Sequence, residues 1–410
     1  MSGQSLPSLA GAEWLAKPQT QRVFAALTVA GHGARAVGGC VRNSLMGLAV
    51  TDIDIATTAL PAETAAAAKA AGFAAIPTGI EHGTITVVAD HLPYEVTTLR
   101  RDVATDGRRA VVAFTQDWSE DARRRDFTMN ALYCAADGTV FDPLGGYGDL
   151  KARRVRFIGD PSERIREDYL RILRFFRFHA TYGVGVLDAD GARACVRLRD
   201  GLRQLSAERI GAEMMKLLVA PRAVEAVTEM FELGLLVDVL ASAPRMPRFS
   251  RLVALERDCA ATADAALRLK ALAVHVTEDA ARLTERLRLS SGQKAVLALT
   301  GPRLGTLTHV QDARGALYRM GSADYRRHVL LQWAESGSFV DDEEWLALWN
   351  LPVSAPVPPF PLTGRDLLAL GFAPGPKMGE LLRELEAHWI ASDFMAGADE
   401  LIALARSRIS

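Results

Sequence analysis

Cysteine is scarce in this chain. Its four residues (Cys40, Cys134, Cys195 and Cys259) lie far apart in 410, with no CxxC pair and no His at metal-ligand spacing. That argues against a disulfide framework or a structural zinc site and suits a reducing compartment. No stretch approaches the roughly 18 consecutive apolar residues that a membrane span needs, and the N-terminus, MSGQSLPSLAGAEWLAKPQT, lacks the basic start and apolar run of a secretory signal. Net charge is almost absent too: 48 Lys+Arg against 49 Asp+Glu leave −1. A globally cationic protein is excluded, whereas a local basic track is not. What remains is 49% hydrophobic and 24% charged residues, the balance of an ordinary globular chain. The expectation is a soluble cytoplasmic protein of two to four domains by length.

Residues 1–30 read as an N-terminal helix with apolar Leu15, Val23, Leu27 and Val29. Short β-branched runs follow (ARAVGG, TDIDIAT, GTITVVAD and YEVTTL), separated by an Ala-rich helix from Glu63 to Ala71. They predict a small mixed α/β domain. After Cys134 the strand signal fades. From Pro161 helical periodicity is almost continuous, as in Ile210, Met214, Leu217 and Leu218. Prolines punctuate it at 243–247 and at 352–361, the second being the better linker candidate. The fold class expected is α+β, an α/β head followed by all-α segments.

Two clusters in the head carry chemistry. Gly38-Gly39 follows a strand and leads into a helix through Cys40, Val41 and Arg42. Adjacent glycines there let backbone N–H groups approach an anion, and Arg42 adds a charged fork. A tight turn with an exposed Arg fits the same letters. In Thr51-Asp52-Ile53-Asp54-Ile55, strand alternation puts Asp52 and Asp54 on one face, about 7 Å apart, and sends Ile53 and Ile55 to the core. Paired carboxylates repel unless a cation lies between them, and hard oxygen ligands suit Mg²⁺ bound to substrate phosphates. Glu95, in a later strand, either completes that site or is a solvated strand residue.

Taken in order, GGCVRN, TDIDIAT, HGTITVV, YEVTTLR, RRDFTMNA (Arg124 to Ala131), DPLGG, IGDPSERIREDYLRILRFFRF and LSAERI resemble the class II tRNA nucleotidyltransferase and poly(A) polymerase family over about residues 31–215. The segment PLTGRDLLALGFAPGPKMGELL is similar to the tail of the CCA-adding branch. The resemblance implies a nucleotidyltransferase-type head (31–135), a neck with a base-selecting helix (136–205), a helical body (206–350) and a helical tail (361–410). It also implies a reaction: a tRNA 3′-hydroxyl attacks the α-phosphate of CTP or ATP and pyrophosphate leaves. By the same resemblance Asp52 and Asp54 hold the catalytic metal, Gly38, Gly39 and Arg42 meet the triphosphate, and Arg125, Asp126 and Asn130 line the site. Asn43 stands where the family usually carries Asp.

The run Glu167-Asp168-Tyr169-Leu170-Arg171 offers its own logic. On a helix, Glu167 pairs with Arg171 four residues on and steadies it, while Asp168 and Arg171 present an acceptor beside a charged donor. Cytosine and adenine each show an amino donor next to a ring-nitrogen acceptor, and both match. Guanine and uracil reverse the pattern and are refused. Salt bridges on a wet helix face are the plainer reading of such letters; the ordered motifs before them favour base selection. Arg174 and Arg177 extend the cationic face toward the triphosphate, and Leu170, Leu173, Phe176 and Phe178 read as core. From Lys151 to Arg177, nine basic residues against four acidic leave +5, a strip suited to triphosphate and RNA backbone, unless partners such as those of Arg153 and Arg164 consume it.

Two enzyme readings follow, a CCA-adding enzyme and a poly(A) polymerase, with CC-only or A-only addition as variants. The HGTITVV segment resembles the CCA-adding branch. The uninterrupted stretch 102–117 argues for complete addition, since the resemblance implies that CC-only enzymes lack part of that loop. The tail carries five basic and seven acidic residues and so lacks a basic RNA-binding extension. A catalytically dead RNA-binding relative would have lost the metal acids, yet both aspartates are present. No His precedes an Asp, which sets aside an HD-type phosphohydrolase.

Overall fold

The computed structural model describes residues 6–106, 109–304 and 310–408. It contains two compact units, Met1–Ala241 and Ser242–Ser410.

The first unit is built on a mixed sheet. Its strands are β1 (Ala34–Val37), β2 (Asp54–Thr57), β3 (Ala74–Gly79), β4 (Thr84–Ala89), β5 (Leu92–Thr98), β8 (Tyr133–Cys134) and β9 (Val140–Phe141), in the order β3-β4-β5-β2-β1-β8-β9. Only β2 and β5 pair in parallel, with Asp54 opposite Glu95 and Ile55 opposite Val96. A separate hairpin joins β6 (Arg100–Asp106) to β7 (Arg109–Phe114). The uninterrupted stretch 102–117 forms much of this hairpin, and its residues 107–108 lie outside the described residues.

Period-two alternation sets the two faces of the main sheet. Ile55, Ile85, Val87, Tyr94 and Val96 are buried on one face, while Thr84, Thr86 and Glu95 point the other way. Each such apolar side chain contributes about 1.5–3 kcal/mol on burial. Helices α2 (Pro18–Val29) and α4 (Pro61–Ala70) pack with this part of the sheet. The expected single N-terminal helix is two, because Pro18 has no N–H with which to continue α1 (Glu13–Ala16) and instead starts α2. The expected strand over TDIDIAT begins only at Asp54, so Asp52 lies in the exposed segment before it and Ile53 is half-buried.

The rest of the first unit is helical: α3 (Gly39–Leu45), α5 (Trp118–Arg123), α6 (Gly146–Lys151), α7 (Pro161–Glu167), α8 (Leu170–Tyr182), α9 (Ala189–Arg197), α10 (Ala207–Leu218), α11 (Ala223–Glu232) and α12 (Leu236–Leu240). Helix α8 packs on α10 and α11, burying Leu170, Leu173, Phe176 and Phe178 as their spacing predicts. In the second unit, α13 (Met246–Asp258), α14 (Ala265–Ala273), α15 (Thr277–Leu287), α16 (Ser291–Ala298), α17 (Val310–Ser336, kinked at Gly321), α18 (Glu343–Ser354), α19 (Gly364–Ala369), α20 (Pro376–Ala391) and α21 (Ala398–Arg406) follow. The 352–361 linker starts late, since Pro352 sits inside the last turn of α18. No helix among the described residues is long and apolar enough to cross a membrane.

Candidate active site

The acids come together through sheet register. Asp54 heads β2 and Glu95 lies directly across from it on β5. Burial, then the Glu95 charge, and then that of Asp52 push the Asp54 carboxyl up to about 6, against the opposing pull of Arg125. A partly buried carboxylate crowded by two others is the donor set that a divalent cation would relieve, so these residues fit a metal. Among the described residues no three His, Cys, Asp or Glu form a ready-made metal group. Carboxylate oxygens of this kind suit a hard cation.

Beside the acids lies the glycine turn. Gly38 takes φ +74°, a conformation that glycine adopts without strain, between β1 and α3. A Cβ on Gly38 would stand 3.7 Å from an Arg125 nitrogen, and one on Gly39 would stand 3.9 Å from an Arg42 nitrogen. The bare backbone thus opens between two guanidinium groups. Arg125 is fixed by Asp121 (3.0 Å) and donates to the Tyr133 hydroxyl (3.3 Å). Asp121 also binds Arg124 at 2.7 Å. Burial alone would raise the Asp121 carboxyl, but Arg125 and Arg124 outweigh it and hold it near 2.

A second network joins the turn to α8. Arg42 is buried rather than exposed, and donates to the Asn130 side-chain oxygen (2.6 Å), the Asn43 oxygen (2.8 and 3.1 Å) and the Tyr182 hydroxyl (2.7 Å). The Asn130 amide donates to Asp126 at 2.9 Å, and Arg174 grips the other Asp126 oxygen at 2.5 Å. Burial works against the ionised Asp126, yet Arg174 and Asn130 hold its carboxyl down to about 2. Arg177 pairs with Glu213 of α10 at 2.5 Å.

The expected continuous helix through Glu167 and Arg171 is broken. Helix α7 ends at Glu167, Asp168 is extended (φ −156°, ψ 106°), and α8 starts at Leu170. The Asp168 carboxylate accepts from the Leu170 amide (3.1 Å), which serves a free N–H at the start of α8. Its other oxygen binds Arg209 at 2.7 Å. The expected Glu167–Arg171 pair forms at 2.5 Å. Arg171 also donates to the carbonyls of Arg164 (2.8 Å) and Arg124 (3.0 Å). A turn hydrogen bond from the Arg171 amide to the Asp168 carbonyl (3.0 Å) keeps the two residues adjacent despite the break.

Residues 34–156 match the family model for the poly(A) polymerase head domain, and 187–244 match that for a probable RNA- and SrmB-binding site of polymerase A. The chain is 34% identical to the CCA tRNA nucleotidyltransferase 1, mitochondrial, of Mus musculus, over 91% of this chain and 86% of that protein. It is 31% identical to the CCA-adding enzyme of Levilactobacillus brevis, over 89% and 91%. The crystal structure of the Bacillus stearothermophilus CCA-adding enzyme in complex with CTP is similar with a TM-score of 0.73 at 28% identity, covering 96% of this chain and 98% of that one.

The chain belongs to the CCA-adding tRNA nucleotidyltransferase family. It is a nucleotidyltransferase, and enzymes of this kind are metal-dependent. Sequence reading of this nucleotidyltransferase noted Asn43 only as a departure from the family pattern and missed Asp121, Tyr182, Arg209 and Glu213. Spacing could have exposed some of them. Asp121 stands three and four residues before Arg124 and Arg125, and Arg209 and Glu213 are four apart on α10. Tyr182 carried no local signal, since it meets Arg42 from 140 residues away. Part of the basic strip is consumed internally, because Arg154 and Arg156 pair with buried Asp149 and Arg164 pairs with Glu167.

Proposed function

We infer that this nucleotidyltransferase adds C, C and A to tRNA 3′ ends from CTP and ATP, releasing pyrophosphate. The observation that carries the mechanism is the placement of Asp54 against Glu95, beside a glycine turn open between Arg42 and Arg125. Asp52 and Asp54 would hold a divalent metal, which we take to be Mg²⁺; when bound it would supply Lewis-acid stabilisation to the phosphate oxygens. Gly38, Gly39, Arg42 and Arg125 receive the triphosphate, with Arg174 and Arg177 behind them. Asp126 and Asn130 order that wall. The primer 3′-oxygen bonds to the α-phosphorus as the α–β phosphate bridge breaks. Its proton passes to a carboxylate of the acid cluster, for which Glu95, exposed on the open face, is placed.

Asp168 and Arg171 select the base. Arg171 keeps one terminal N–H and its Nε–H without a partner among the described residues, and each Asp168 oxygen retains a lone pair. A donor and an acceptor thus remain for the edge shared by cytosine and adenine, with Glu167 steadying Arg171. The boundaries drawn from the sequence for head, neck, body and tail, and a cytoplasmic location, are part of this reading.

The test is incorporation into tRNA lacking its 3′ end. Three nucleotides, C, C and A, are expected, followed by a stop. Asp52→Ala and Asp54→Ala should each abolish incorporation with tRNA binding largely intact. A long A ladder from ATP alone on a generic RNA would favour poly(A) synthesis instead.

A further inference from the structure

We propose that Asp121 is a positioning residue: from one buried carboxylate it aims Arg125 at the triphosphate and, through Arg124, aims Arg171 at the base. The proposal rests on the nucleotide-site reading above.

Asp121 lies in α5 and is 1% exposed. Its Oδ2 accepts from Arg125 at 3.0 Å and from the Tyr133 hydroxyl at 2.8 Å, and Arg125 Nε donates to that hydroxyl at 3.3 Å. The Arg125 guanidinium is thus held from two sides. Oδ1 accepts from Arg124 Nε at 2.8 Å and from an Arg124 terminal nitrogen at 2.7 Å. Among the described residues no other carboxylate lies within 4.0 Å of either arginine. One anion between two cations leaves a positive excess for phosphate, so the part of Asp121 is to direct that charge and not to supply it.

Arg124 carries the second link through its backbone. Carbonyls at the end of a helix lack intrahelical partners, and past α5 those of Arg123 and Arg124 receive Arg164 (2.9 Å) and Arg171 (3.0 Å). Arg164 also pairs with Glu167 and offers its own carbonyl to Arg171 at 2.8 Å. Anchoring the Arg124 side chain therefore steadies the carbonyl that aims Arg171.

A nucleotide reacts only when its α-phosphorus reaches the acids while its base edge meets Asp168 and Arg171. Asp121 holds two consecutive residues, one serving each end of that nucleotide. An amide at position 121 keeps the shape but offers one acceptor oxygen instead of two, so either Arg124 or Arg125 loses its hold. It also removes a negative charge, which by itself strengthens the local attraction for triphosphate. Misplacement and attraction therefore move the kinetics in different directions.

The experiment measures steady-state incorporation from CTP and UTP into tRNA lacking its 3′ end, with tRNA affinity and thermal denaturation alongside. The proteins are full-length wild type, D121N, R124A, R171A and the D121N/R171A double variant. D121N should lower kcat for CTP about tenfold with KM for CTP no higher than wild type, and should cut the preference for CTP over UTP about tenfold. R124A, which keeps Arg125 on Asp121, should cut that preference with kcat closer to wild type, and it carries the test if D121N fails to fold. The double variant should discriminate no worse than R171A, because Asp121 acts on base choice through Arg171. A lowered melting temperature with wild-type kcat and base preference in D121N and R124A makes Asp121 structural and overturns the proposal, as does a raised KM with kcat unchanged. Unaltered base choice in R171A overturns the base-selecting reading itself, and the proposal with it.

Discussion

At Asp54, burial and two neighbouring carboxylates oppose ionisation, and the folded protein therefore holds this proton more tightly than the unfolded chain does. The sign follows from that raised value. The stability contributed is fully present below the ordinary carboxylate range and is lost as pH rises through about 6. Denaturation of the metal-free protein should therefore show stability falling from pH 5 to pH 8 by about 1.4 kcal/mol from this group, the remainder of its loss lying between the ordinary carboxylate range and pH 5. Asp54→Asn should remove that slope; an identical slope in the variant would assign it elsewhere. The two acids were legible as neighbours in TDIDIAT, but the strand alternation used to put them on one face does not hold, because Asp52 precedes β2. The strand's late start was not legible, since β2 begins only where β5 offers a parallel partner at Glu95.

Among the elements, the junction of α7, α8 and α10 organises Arg164, Arg171, Arg174, Arg177 and Arg209. Glu213 projects from α10 to Arg177 and, at 3.8 Å, to Arg174, and its side chain is almost wholly buried. Glu213→Ala leaves desolvated cations facing each other, and urea unfolding should register a loss of about 3 kcal/mol. Glu213→Gln should recover part of it by keeping a hydrogen bond. Arg209 acts through Asp168: in Arg209→Ala, competition assays should show UTP and GTP incorporation rising about tenfold while tRNA affinity holds. Unchanged base choice would detach Arg209 from selection. The Glu167–Arg171 pair was readable because i,i+4 partners meet on any helical turn. Asp168 is an acid that favours helix starts, and its capping of α8 at the break was a signal passed over.

On the scale of the whole chain, each compact unit has its own apolar core. That of the last helices gathers Leu367, Leu385, Trp389 and Leu401 with Phe394, and Trp389 contacts Phe360, Tyr318 and Phe394 edge-on. Trp389→Ala should cost about 3–5 kcal/mol in the Ser242–Ser410 transition. Calorimetry should show that transition alone moving down, with CTP binding unchanged. Loss of CTP binding in this variant would mean that the nucleotide site depends on the second unit.

Local chemistry fixed what depends on neighbours within a turn or a strand: the glycine turn, the alternating strands of the head, the apolar face of α8 and the Glu167–Arg171 pair. Sheet register and helix packing decided the rest. They placed Glu95 across from Asp54, Tyr182 against Arg42, Arg209 on Asp168 and Glu213 between two arginines. In each case the partners are tens of residues or more apart, and a charged side chain finds its counter-ion by position in space, which no periodicity along the chain encodes.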